Sequence, residues 1–151
     1  MNAFDIQLQT RRNISKVIDS LSLEQLNLIP EGLNNNILWN YGHIFVTQQA
    51  LTYRLSGLPM RIGADTVELF KKGSAATHYS QEQLGAVKAS FFTFIELTQK
   101  DYEAGKFQSF QTYPTSYGIT LENIDAAIAF NNTHEALHLG YIMALRRIVT
   151  K

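Results

Sequence analysis

The chain of 151 residues contains no cysteine, which removes disulfides, thiolate zinc sites, iron–sulfur clusters and a cysteine nucleophile in one step. Any thiol in its chemistry must therefore arrive as a separate molecule. Excess charge is missing too: 13 Lys and Arg balance 13 Asp and Glu, so composition offers neither a basic groove for nucleic acid nor a surface for anionic membranes. No apolar run approaches the roughly 18 residues that would span a bilayer. The opening Met1-Asn2-Ala3-Phe4-Asp5 lacks the basic start and apolar stretch of a signal peptide. These absences together describe a cytoplasmic protein with no nucleic-acid and no membrane partner. Period-two alternation is also absent over any series of segments, which argues against a parallel sheet or a β-sandwich.

What remains is ordinary globular material, 45% hydrophobic and 17% charged, fitting one domain over residues 1–151 around a single core. Four stretches carry helical spacing. The first runs from Ala3 to about Leu21, with Phe4, Leu8, Ile14 and Ile18 at steps near three and four and an extension through Leu26, before Pro30 and Gly32 break it. The second follows the Asn34-Asn35-Asn36 cluster, whose side chains suit a helix N-terminus, and runs to about Ser56, where Gly57 and Pro59 stop it. Ser80 and Gln83 have capping-box spacing and open a third, continuing toward Tyr102 and ending at Gly105. The fourth starts near Thr120, after an ordered loop from Gln108 to Gly118, and reaches the C-terminus. Ala64 to Lys72 reads as a short helix inside a connection. Four helices and two longer links predict an all-α four-helix bundle.

Three of the four histidines fall on inward stripes of that bundle. In the fourth helix Ile124, Ile128, Asn131, His134, His138, Ile142 and Leu145 follow steps of three and four, and in the second Trp39, His43, Val46, Ala50 and Tyr53 do the same. His134 and His138, four apart, present two imidazoles on one helical face. A buried imidazole without a partner is costly, whereas one that ligates a metal in its neutral form is satisfied. His43, His134 and His138 are therefore candidate ligands of one ion. A lone inward histidine is more often hydrogen-bonded to a carbonyl or carboxylate, and His-x-x-x-His pairs also arise by chance, so periodicity leaves both readings open. His78, in a loop, has no partner spacing and reads as solvated.

His134-Glu135-Ala136-Leu137-His138 also matches the zinc-protease pattern His-Glu-x-x-His. The residues after His138 include no histidine, aspartate or glutamate to complete such a site, and the position of a metzincin third histidine is Ala144. The protease reading is set aside.

Two segments carry a wider resemblance. Asn35-Asn36-Ile37-Leu38-Trp39-Asn40-Tyr41-Gly42-His43-Ile44 and His134-Glu135-Ala136-Leu137-His138-Leu139-Gly140 resemble the paired signatures of the DinB-like superfamily, with a tryptophan four residues before the first histidine and a histidine pair followed by glycine. The likeness extends over nearly the whole chain, including Pro114-Thr115-Ser116-Tyr117-Gly118 before the last helix. It implies a DinB-like four-helix bundle holding a divalent metal ion through His43, His134 and His138, frequently as a homodimer. It also implies that an assigned reaction, where relatives have one, is thiol-dependent S-transfer or isomerisation with bacillithiol, mycothiol or glutathione. Related sequences often carry Arg-Gly-Gln after the second histidine of the pair; here Leu139-Gly140-Tyr141 stands in its place.

Three neutral imidazoles leave a divalent ion its full charge and an open position, the pattern of a catalytic site. Zinc, nickel, iron and copper all suit such ligands. The expected function is a metal-dependent S-transferase or hydrolase that activates a low-molecular-weight thiol or water toward a small electrophile. The alternative is a non-catalytic, metal-binding homodimeric bundle with a stress-related or interaction role. Near-zero net charge opposes self-association little. Glu135 is the one candidate general base, but about 100° around the helix from His134 it reads first as a bundle-edge or interface residue bonded to a neighbouring helix, and its change to glutamine is expected to be nearly silent for thiol transfer. Asn131 and Asn40 are placed to orient an imidazole or cap a local polar group. Trp39 and Tyr53 read as core, and Tyr113 and Tyr117 as residues of a pocket mouth.

Overall fold

Five helices begin where a Ser or Asn side chain accepts from the backbone N–H three residues on. In the computed structural model, which describes residues 2–151, Asn2 caps α1 (Ala3–Asp19) and Ser22 caps α2 (Leu23–Asn27). Asn36 caps α3 (Ile37–Gln49), which continues into a π-helical turn, Ala50–Arg54. A short α4 (Ala64–Phe70) starts at Gly63 without a side-chain cap. Ser80 caps α5 (Gln81–Phe91), α6 (Thr93–Glu103) follows after one residue, and Asn123 caps α7 (Ile124–Val149). Each cap satisfies a donor that the first helical turn would otherwise leave free.

The fold is all-α. The long helices form a closed ring: α1 packs on α7, α7 on α3, α3 on α5, and α6 back on α1. α2 and α4 cover α3 from outside, so every residue of α3 except Thr47 is buried. Ile14, Ile18, Ile37, Ile44, Phe45, Phe91 and Ile142 are each no more than 2% exposed and form the heart of the core. No helix among the described residues is long and apolar enough to cross a membrane.

Three local details differ from the periodicity. The expected third helix is two helices, interrupted at Phe92: the Ile95 N–H bonds the Phe92 carbonyl at 3.0 Å rather than that of Phe91. The freed Phe91 carbonyl accepts from the buried Arg11 guanidinium, which also lies over the Phe91 ring. The second helix ends in a π-helical turn. The last helix starts at Ile124 and not near Thr120, because Thr120–Leu121 forms β2 of a two-residue antiparallel pair with β1, Tyr113–Pro114. Gly118, with φ 92°, turns the chain between them.

Candidate metal centre

His43 lies on the side of α3 facing α7, and His134 and His138 lie on the opposing side of α7, so the packing of these two helices brings all three imidazoles together. Ring centroids are 5.2 Å apart for His43 and His134, 5.0 Å for His43 and His138, and 4.5 Å for His134 and His138. One nitrogen from each lies within 4.8 Å of the others. Small side-chain rotations suffice to bring three such nitrogens onto one ion at about 2.0–2.1 Å. This is the one grouping of at least three His, Cys, Asp or Glu ligand atoms found at such spacing among the described residues.

Two of the rings are held by protein groups that decide which nitrogen is free. α4 ends at Phe70, and its terminal carbonyl, without a helical partner, accepts from His43 Nδ1 at 2.7 Å. His43 Nε2 is then a lone pair, 3.2 Å from the Thr47 hydroxyl. Asn40 donates its amide N–H to the Asn36 carbonyl at 2.8 Å, which fixes its Oδ1 toward His138 Nδ1, also at 2.8 Å. His138 Nε2 is thereby free as well. Carbonyl and carboxamide partners of this kind orient metal-ligating histidines. Trp39 stacks on the His43 ring at 4.5 Å with 11° between planes, as residues four apart on a helix allow, and is anchored by its indole N–H on Ser74.

His134 has no such support: its Nδ1 is buried without a hydrogen-bond partner. An orphaned polar nitrogen in this position is costly unless something absent from the chain binds it. Burial pushes the His134 pKa down to about 2, with the neighbouring His138, His43 and Arg11 adding to the effect. Burial, then His43, pushes His138 to about 4, and burial also lowers His43 despite its bond to Phe70. All three are neutral at pH 7, the state in which imidazole donates a lone pair to a metal. The residues present thus fit a divalent ion.

Glu135 is not at a bundle edge. It is fully buried, facing α1 and not the imidazoles, and receives Arg11 Nη2 at 2.8 Å, Gln7 Nε2 at 2.7 Å and Asn131 Nδ2 at 2.9 Å. Arg11 is equally buried and also reaches Gln48. The expected hydrogen bond to a neighbouring helix exists, as one part of a network that occupies the carboxylate. Asn131 accordingly serves Glu135, whereas Asn40 orients an imidazole.

A cavity of about 320 Å³ opens over the histidines. Val46, Leu51, Leu55, Val67 and Phe130 form its apolar wall, and Thr47, Thr115 and Ser116 add hydroxyls. Tyr113 lines it; Tyr117 instead lies 59% exposed against Phe130. His78 is exposed, as its loop position predicts. The cavity residues Thr47, Arg54, Lys71 and Lys72 carried no signal in the spacing of apolar positions. Arg11 and Gln7 did carry one: they occupy the stripe Phe4, Gln7, Arg11, Ile14, Ile18 where apolar residues belong.

Residues 8–142 match the family model described as the DinB superfamily, and the chain belongs to that superfamily. No curated protein matches it in sequence.

Proposed function

We propose that this DinB-superfamily chain is a divalent-metal-dependent transferase that joins an exogenous thiol to a small electrophile, with His43, His134 and His138 as the metal ligands. The observation that carries the reading is the convergence of three neutral imidazoles on the floor of an open cavity, with no fourth side-chain ligand among them. A divalent ion there supplies full positive charge beside an open position, which favours the ionised form of a thiol or of water. The Phe70 carbonyl and the Asn40 amide hold His43 and His138 with their Nε2 atoms free, the Thr47 hydroxyl stands beside the site, and Val46, Leu51, Leu55, Val67 and Phe130 give it an apolar wall. Thiol transfer is favoured over hydrolysis because no carboxylate lines the cavity and Glu135 is occupied by Arg11. Water activation gains from a general base, whereas an ionised thiol needs none.

Elemental analysis of protein purified without a histidine tag, followed by conjugation of low-molecular-weight thiols to a chromogenic aryl halide, tests this reading. Wild type and His78→Ala are expected to hold metal and turn over, while His43→Ala, His134→Ala and His138→Ala lose both. Equal metal content in all of them overturns the ligand assignment. Full metal occupancy without turnover favours the non-catalytic bundle.

A homodimer is part of the proposal. The exposed face of α7 carries Thr133, Ala136, Leu137, Gly140, Tyr141 and Ala144, a run without charge, and Leu137 is 55% exposed. Such a face supports helix-to-helix association between copies. Light scattering is expected to report a dimer for wild type and a monomer for Leu137→Glu; a wild-type monomer at micromolar concentration rejects it.

A further inference from the structure

The mouth of the cavity has a charge pattern that the histidines do not explain. Arg54 comes from the π-helical turn after α3, and Lys71 and Lys72 come from the segment just past α4; all three line the cavity, and no Asp or Glu does. Lys71 is partnered by Glu68 at 2.6 Å. Arg54 and Lys72 have no ion pair or side-chain hydrogen bond among the described residues, although acidic residues are as numerous in this chain as basic ones. Two cations from separate segments, neither with an anionic partner, leave the lining of the cleft net positive, which favours an anionic ligand there.

We propose that the cavity takes an elongated ligand bearing an acidic group, a carboxylate or a phosphate, which Arg54 and Lys72 hold at the mouth while its apolar middle lies along Leu51, Val67 and Phe130. Elongation follows from the helix: eleven residues separate His43 from Arg54 on α3 and its π-helical turn, so their Cα atoms are about 16 Å apart by helical rise. The cavity volume is at the small end of the range for small-molecule sites. Arg54 draws the acid toward the end of the cavity away from His43, while Lys72, two residues past the Phe70 whose carbonyl holds His43, stands nearer the histidines. Arg54 offers a planar fork for it and Lys72 a mobile point charge. This rests on the reading of the cavity as the substrate site, and it names the class of molecule that the transferase accepts.

The test uses phenylbutanoate and phenylbutanamide, near-identical in shape and different by one charge, with binding to the full chain followed through fluorescence of its single tryptophan, Trp39, stacked on His43. At low salt the acid is expected to bind wild type about five- to tenfold more tightly than the amide, the size set by two solvent-exposed cations acting on one anion. The preference is expected to fall toward one in the Arg54→Gln, Lys72→Gln double variant, to shrink with added salt, and to persist in Lys88→Gln, whose lysine lies outside the cavity. Equal binding of acid and amide, or no binding of either, overturns the proposal. So does a preference that survives the double substitution, since the acid would then be sitting elsewhere. Neither probe contains a thiol and the readout is binding, so failure of the thiol chemistry leaves the ratio intact, and failure of the rim leaves metal-dependent turnover intact.

Discussion

Arg11 and Glu135 carry opposite charges with no exposure to water, and neither has a counter-charge other than the other. Desolvation of two ions on this scale is offset only by close pairing and by filling the remaining donors and acceptors, which Gln7, Gln48, Asn131 and the Phe91 carbonyl do. Changing Glu135 to glutamine keeps the shape and leaves the guanidinium buried without its counter-charge. A loss of about 3–5 kcal/mol is expected, the range for breaking one side of a buried pair. It is checked as a lower urea midpoint at unchanged slope. Replacing both partners with Met and Leu is expected to restore most of that loss. An unchanged midpoint in Glu135→Gln would show that the network contributes little. The expectation from sequence, that this substitution is nearly silent for thiol transfer at unchanged fold, is therefore checked as turnover per folded, metal-loaded protein. The reason for the stability loss lies outside helical periodicity. The charge that occupies Glu135 is 124 residues away in the chain, and an arginine inside an apolar stripe of α1 is the only local trace of it.

Between elements, the close approach of α3 and α4 decides how His43 is held. A Cβ at Gly42 would lie 2.3 Å from the Phe70 ring, so α4 packs here only because position 42 has no side chain. Gly42→Ala must push Phe70 away and with it the carbonyl that orients His43. Overpacking of this kind costs about 1–3 kcal/mol, and loss of a ligand's supporting hydrogen bond lowers metal affinity about 10–100-fold. Metal titration and thermal melts of Gly42→Ala are expected to show both effects. Gly85→Ala, where nothing lies within 4 Å, is expected to be neutral or slightly stabilising. The same elements mark how far sequence reaches. Caps at Asn36 and Ser80 and the three inward histidines were legible, because each depends on neighbours within one or two helical turns. The break at Phe92 was not, since Leu84, Val87, Phe91, Phe94, Ile95 and Thr98 keep helical spacing across it and the interruption depends on Arg11 from α1. The β1–β2 pair was hidden by its two-residue length, and the rim cations by lying in a connection and a terminal turn.

At the scale of the whole molecule, the histidine cluster makes the stability of the metal-free protein depend on pH in a defined window. All three imidazoles have folded-state pKa values below the ordinary 6.5, first because burial disfavours the charged ring; His138 is at about 4 and His134 at about 2. As pH falls through 6.5 the unfolded chain takes up protons that the folded chain refuses. Stability therefore declines, by up to about 1.4 kcal/mol per pH unit for each imidazole. The decline begins near pH 6.5; the share of His138 is spent by about pH 4, and that of His134 continues toward pH 2. Asp101 acts in a lower window. Burial raises its pKa, but bonds from Lys106, Tyr53 and Arg61 outweigh this and hold it at about 2, so its contribution is present above pH 3.8 and is lost below. The interval from pH 6.5 to pH 4 thus lies above the Asp101 window. Urea unfolding of chelator-treated protein is expected to give a midpoint that falls steadily across it, and His138→Ala is expected to flatten the slope. A wild-type midpoint constant between pH 7 and pH 5 would mean that the folded cluster accepts protons freely, and the neutral arrangement that suits a metal would not exist.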